Sequence, residues 1–193
     1  MSVKDYDESF PTEVQNQPDN RTGPSDSYKH LMSGNRLEAE GDDEQALAYF
    51  NKAIECRQNI EPIIRRGMYF YERNDAEQAI SDFTFAINDA KPEEHRLAFA
   101  YAERGFVNIE MLLIPEGLDD LIRSFELLDN QLKAKQKVDE PEDSYIGQIE
   151  FFLEKCVPVI KLMGNKDDIS GEEEEKLDVL KNLILIVRQE INY

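Results

Sequence analysis

Apolar positions along most of the chain recur every three or four residues, the spacing of helices buried on one face. The clearest stripe is Leu177, Leu180, Ile184, Val187 and Ile191 near the C-terminus. Another runs through Tyr145, Ile149, Phe152, Cys156 and Ile160 in the segment Ser144 to Met163, where Pro158 is expected to kink or restart the helix. Upstream, the pattern predicts first helices at Tyr28 to Glu40 and Ala98 to Leu112, and a later one at Leu118 to Lys135. Residues 1–26 hold no helical or strand period and read as a disordered acidic arm ending at Gly23-Pro24. Ser25 or Asp26 is placed to cap the helix that follows. Tyr6, Phe10 and Val14 in the arm recur at spacings of four, which would also suit a short docking helix.

Within this pattern one stretch occurs twice. GDDEQALAYFNKAI, Gly41 to Ile54, returns 33 residues later as NDAEQAISDFTFAI, Asn74 to Ile87, with seven of fourteen positions identical. A fixed period of this length points to units that bury their apolar faces against their neighbours. Gly34 and Gly67 each precede the alanine of that stretch, Ala46 or Ala79, by twelve residues. A mid-helix glycine costs about 1 kcal/mol relative to alanine, so a close helix approach is the expected reason. Gly41 and Asn74 suit the turn between the two helices of a unit, where positive φ is common.

These residues resemble the tetratricopeptide repeat. Gly34, Leu37, Gly41, Ala46, Phe50 and Ala53 stand where that family has its small and large consensus residues, and Gly67, Phe70, Asn74, Ala79, Phe83 and Ala86 follow the same order. The family's aromatic residue near the start of the first helix is replaced by His30 and Ile63. A looser third unit has Gly105 in the glycine role. Leu121, Phe125 and Leu128 are read in the Ala, Phe and Ala roles, which requires a four-residue insertion around Met111 to Gly117 and a more open helix pair. The expected fold is all-α: a superhelical array of three antiparallel helix pairs, 27–59, 60–92 and 93–136, then a linker at 137–143 and a capping helix pair at 144–193. Ser170 and Glu173 form a capping-box pattern at the start of the last helix.

Composition narrows the function. The net charge of −19 disfavours nucleic acid and anionic membrane and favours a basic protein or peptide partner or none in particular, since solvated acidic helix faces would carry the same charge. No apolar run approaches the roughly 18 to 20 residues of a membrane span. The N-terminus lacks the basic and apolar segments of an export signal, and Cys56 and Cys156 read as two buried free thiols, so a cytoplasmic location is expected. Metal sites are not supported by spacing. Placing Gly171 at the turn of a calcium loop puts Lys166 and Leu177 where carboxylates are required, and His30 and His95 have no ligand-spaced neighbours. No phosphate loop, nucleophile elbow or Cys-His spacing suggests an enzyme, and no cofactor is expected.

The resemblance implies a concave groove lined by the first helix of each unit. Carried over by position, its residues would be Tyr28, Leu31, Asn35 and Glu38, then Ile64, Arg65, Met68 and Tyr71, then Phe99, Glu103, Phe106 and Glu110. The cation set with which one subclass holds chaperone tails is absent, with Leu31, Arg65, Phe99 and Glu103 at four of its positions and only Asn35 matching. The implied function is a non-catalytic adaptor that binds a partner's peptide segment in this groove. Two other readings stay open: a small acidic chaperone for a secreted bacterial substrate, and a self-associating structural module. Oligomeric state is not legible.

Overall fold

The computed structural model describes residues 25–91, 96–135, 143–164 and 170–191. The arm, apart from its last two residues, and most of the 137–143 linker lie outside the described residues. Among the described residues the chain forms eight helices and no strand: α1 (Asp26–Ala39), α2 (Asp43–Glu55), α3 (Glu61–Glu72), α4 (Ala76–Asp89), α5 (Leu97–Glu110), α6 (Ile114–Lys135), α7 (Asp143–Gly164) and α8 (Gly171–Ile191). Helices adjacent in sequence pack together as α1 on α2, α3 on α4 and α5 on α6, and α2–α3 and α4–α5 contacts join these pairs. The long α6 also carries α8 along its length.

The first two pairs are built alike, residue for residue. Gly34 faces Phe50, and a Cβ added to it would stand 2.5 Å from the Phe50 ring. Gly67 faces Phe83 in the same way, at 2.6 Å. The missing side chain lets each ring fill the space between the helices, and Ala46, Phe50, Ala53, Ala79, Phe83 and Ala86 are all buried. Burial of such a phenylalanine stabilises by about 1.5–3 kcal/mol. The identical Asp of the duplicated stretch has a separate cause. Asp42 and Asp75 are N-caps, each accepting a hydrogen bond from the backbone N–H of Gln45 or Gln78 at 3.2 Å.

The third pair departs from the sequence expectation. No insertion separates α5 from α6. The three turns share one backbone pattern: Asp42 N–H donates to Leu37 C=O at 2.9 Å, Asp75 to Phe70 at 3.0 Å, and Leu113 to Asn108 at 2.8 Å. The preceding residue is left-handed each time, Gly41 at φ 80°, Asn74 at 61° and Leu112 at 63°. The alanine-equivalent position is therefore Gly117, not Leu121. A Cβ on Gly105 would lie 2.9 Å from the Gly117 carbonyl oxygen and 3.1 Å from Leu121, which takes the phenylalanine place. Ser124, buried, takes the second small position. This pair is close rather than open, and Pro115 lies in the first turn of α6 instead of in a longer loop. Phe125 and Leu128, also buried, belong to the larger core that α6 shares with α7 and α8.

Arginine–aspartate pairs tie the units together. Arg66 donates from Nε and Nη2 to the two Asp82 oxygens at 2.8 and 2.7 Å, and from Nη1 to Asn51 on α2 at 2.6 Å. Arg104 repeats this with Asp120 at 2.8 Å twice, reaching back to Thr84 on α4 at 3.0 Å. Each arginine thus fastens three helices.

The C-terminal helices show two more differences. α7 is continuous through Pro158. That proline is exposed, and so is Glu154, the residue whose carbonyl it leaves without a helical donor. Cys56 is only half-buried, whereas Cys156 is fully buried, and both are free. At α8, Ser170 and Glu173 bond reciprocally, with Ser170 N–H donating to the Glu173 carboxylate at 2.8 Å and Glu173 N–H to Ser170 Oγ at 3.3 Å. No helix among the described residues is long and apolar enough to cross a membrane.

Candidate functional site

The N-terminal halves of α1, α3 and α5 face a common cavity of about 380 Å³. Leu31 and Met32 on α1, Ile64 and Met68 on α3, and Phe99 on α5 line it with apolar surface, and Phe151 and Phe152 of α7 close one end. Their placement follows from helix periodicity. Leu31, Ile64 and Phe99 are turned inward from first helices whose opposite faces are held by the glycine contacts on α2, α4 and α6. A concave apolar surface with a few convergent polar groups is the usual form of a binding site.

The polar groups are ordered by ion pairs. Arg65 donates from Nε to Asn35 at 2.9 Å and bonds the Glu38 carboxylate, so α3 is locked to α1. Glu38 also accepts from Arg73 Nη1 at 3.2 Å, and Arg73 in turn pairs with Asp43 and lies 3.7 Å above the Tyr69 ring. Arg65 Nη1 is buried without a hydrogen-bond partner, with the Glu72 carboxylate 4.0 Å away. At the other wall Arg96 pairs with Glu61 at 3.1 Å.

α7 meets α5 through aromatic and charged side chains. Phe152 lies against Phe99 and is stacked parallel to Phe106, with centroids at 4.9 and 6.2 Å. Lys155 donates to the buried Glu103 at 3.1 Å and stands 4.6 Å above the Phe106 ring. Burial holds the Glu103 carboxyl above the usual value of 4.5, against the pull of Lys155 in the other direction.

Seven of the twelve residues carried over from the family border the cavity: Leu31, Asn35, Ile64, Arg65, Met68, Phe99 and Glu103. The other five lie outside it. Tyr28 is half-exposed near the start of α1. Glu38 belongs to the arginine network, and Phe106 lies beneath Phe152 and Lys155. Tyr71 donates to Glu110 at 2.6 Å, joining α3 to α5; burial and that carboxylate push its hydroxyl up to about 12. Five lining residues were missed. Met32, Glu61 and Arg96 sit beside or one turn before predicted groove residues, a signal available from helical spacing. Phe151 and Phe152 come from a helix with no repeat signature, and nothing local announces them.

Among the described residues no group of His, Cys, Asp and Glu is arranged to hold a metal ion. His30 rests against the Tyr49 ring at 5.9 Å, while His95 and Lys166 lie outside the described residues. The cavity offers apolar surface bordered by Asn35, Glu61, Arg65, Arg96 and Glu103. No protein-family model matches the chain, and comparison with curated proteins returns no relative.

Proposed function

We propose that this protein is a non-catalytic adaptor of tetratricopeptide type, whose superhelical helix pairs hold a short peptide segment of a partner protein in the cavity between α1, α3, α5 and α7. The observation that carries the reading is the cavity itself, apolar along its floor and bounded by Asn35, Arg65 and Arg96. Apolar anchors of the partner enter between Leu31, Ile64 and Met68, with Asn35 and Arg96 at the border for its polar groups. The net charge of −19 outside the cavity favours basic residues flanking those anchors. Two free thiols fit a cytosolic setting.

The test is a titration with a partner peptide identified by affinity capture, using wild type and a Met32→Glu, Met68→Glu variant. Both methionines are at least partly exposed, so the variant should keep its melting temperature while losing at least tenfold in affinity. Equal affinity of the two forms removes the cavity from the account.

A further inference from the structure

The inward stripe of α5 is already occupied. Phe99, Glu103 and Phe106 stand at spacings of four and three on one face of that helix, and α7 lies across all three. Lys155 reaches Glu103 while its amino group stands over three rings, 4.6 Å from Phe106, 5.4 Å from Phe151 and 5.8 Å from Phe152. A carboxylate beside an aromatic face is built to hold a cation. Glu103 is only 3% exposed, and its burial outweighs the pull of Lys155. Apolar side chains of similar volume often stabilise as well as a buried ion pair does, so sealing this end of the array does not require one.

α7 is also weakly built for a permanent wall. Gly147 and Pro158 stand in its interior, and each disfavours a helix relative to alanine. Its outer side leaves Phe151 more than half exposed and Val157, Val159 and Ile160 only partly covered.

We infer that α7 is a stand-in for a ligand: it fills the third unit's share of the groove, and a partner helix with an aromatic residue and a lysine three positions later displaces it. On the adaptor reading above, on which this rests, that pair is the chemistry of the partner's segment. Charge selects such an occupant. Glu103 calls for a cation, and a chain of net charge −19 draws basic segments and repels acidic ones. The spacing is that of α7 itself, where Phe152 meets Phe99 and Phe106 and Lys155 meets Glu103 one turn later. The floor is continuous as well. Phe152 borders the same cavity as Leu31 and Ile64, so a segment entering there runs on into the place that α7 holds. While α7 is seated, the apparent affinity for the partner falls with the fraction of chains that are open.

The probe is a fluorescent peptide of the Asp143–Gly164 segment carrying Cys156→Ser, titrated into the full chain by anisotropy. Wild type should bind it weakly, because its own α7 is seated. Phe152→Glu sets a charge on Phe99 and Phe106 in place of a ring and should release α7, so its affinity for the peptide should be at least about tenfold higher. In that variant Cys156 should react with an aromatic disulfide reagent as fast as Cys56 does. A peptide that also carries Lys155→Glu should not bind Phe152→Glu, and adding Glu103→Lys to the chain should restore its binding. Equal affinity of wild type and Phe152→Glu, a Cys156 that stays slow in the variant, or equal binding of the Lys155→Glu peptide would each overturn the proposal. So would a Phe152→Glu chain that no longer melts cooperatively, since α7 would then be an integral part of the fold. In any of those cases, partner binding that is lost in the Met32→Glu, Met68→Glu variant would leave the adaptor reading standing.

Discussion

Arg104 holds Asp120 through two parallel hydrogen bonds of 2.8 Å, and Arg66 holds Asp82 at the same sixteen-residue separation. The aspartates are buried and the arginines retain about a fifth to a quarter of their exposure. Among the described residues, removing Arg104 would leave Asp120 with only Asn108 as a side-chain donor, at 3.3 Å. Arg104→Ala should therefore lower unfolding stability by roughly 2–4 kcal/mol, less than the full figure for a completely buried pair. The Arg104→Ala, Asp120→Ala double variant should be more stable than Arg104→Ala alone. Urea denaturation of wild type, Arg104→Ala, Asp120→Ala and the double variant measures both effects, and simple additivity would show that the pair is not coupled.

Gly67→Ala offers a test in which helix propensity and packing oppose each other. Propensity favours alanine by about 1 kcal/mol. Its Cβ would stand 2.6 Å from the Phe83 ring, however, and that ring is fully buried. Overpacking of this kind costs about 1–3 kcal/mol, so the variant should be net destabilised. Adding Phe83→Leu should recover part of the loss. A melting temperature above wild type for Gly67→Ala would mean that the contact yields more easily than the geometry suggests.

The raised Glu103 carboxyl gives a pH signature. Its folded value lies above the unfolded value of 4.5, so the folded chain binds the proton more tightly. The sign follows: this residue's contribution favours folding below pH 4.5 and is lost as pH rises through the folded value. Glu103→Gln, neutral throughout, should be at least as stable as wild type at pH 7 despite losing the Lys155 pair. Its advantage should disappear when both proteins are compared below pH 4.5. Melting curves across that range decide it, and an advantage that grows toward acid would reverse the assignment.

The two cysteines should react at different rates. Burial pushes the Cys156 thiol up to about 12, and Cys56 is partly exposed. An aromatic disulfide reagent at pH 8 should modify one thiol in the fast phase and the second only as the fold opens. Cys56→Ser should remove the fast phase. Two equally fast thiols would show that α7 leaves its place readily.

The parts of the fold that were legible in the sequence are those set by neighbouring residues. Asp42 and Asp75 cap, Ala46 and Ala79 allow approach, and Phe50 and Phe83 fill the space opposite a glycine, so each identity has a local cause. The third pair misled because Leu121, Phe125 and Leu128 make a regular apolar stripe that imitates the earlier Ala-Phe-Ala order shifted by one turn. That stripe serves two partners at once, α5 near its start and the C-terminal helices further along. Leu112 also concealed the turn, since leucine gives no hint of a left-handed residue. The cavity was half legible. Residues of α1 and α3 follow from periodicity, but the Phe152 contact that closes one end depends on two helices whose pairing no local pattern encodes.

Gly105 and Gly117 stand backbone to backbone, with the Gly105 carbonyl oxygen 2.7 Å from where a Gly117 Cβ would be. Any substitution at either position adds that atom. Neither residue has a conservative replacement, so mutational tolerance at both should be close to nil while the stripe beside them drifts freely. Two glycines twelve residues apart would then outlast the alanine and phenylalanine signature in a diverging lineage. They are the trace by which a helix pair of this build could still be recognised after its better-known residues had been replaced.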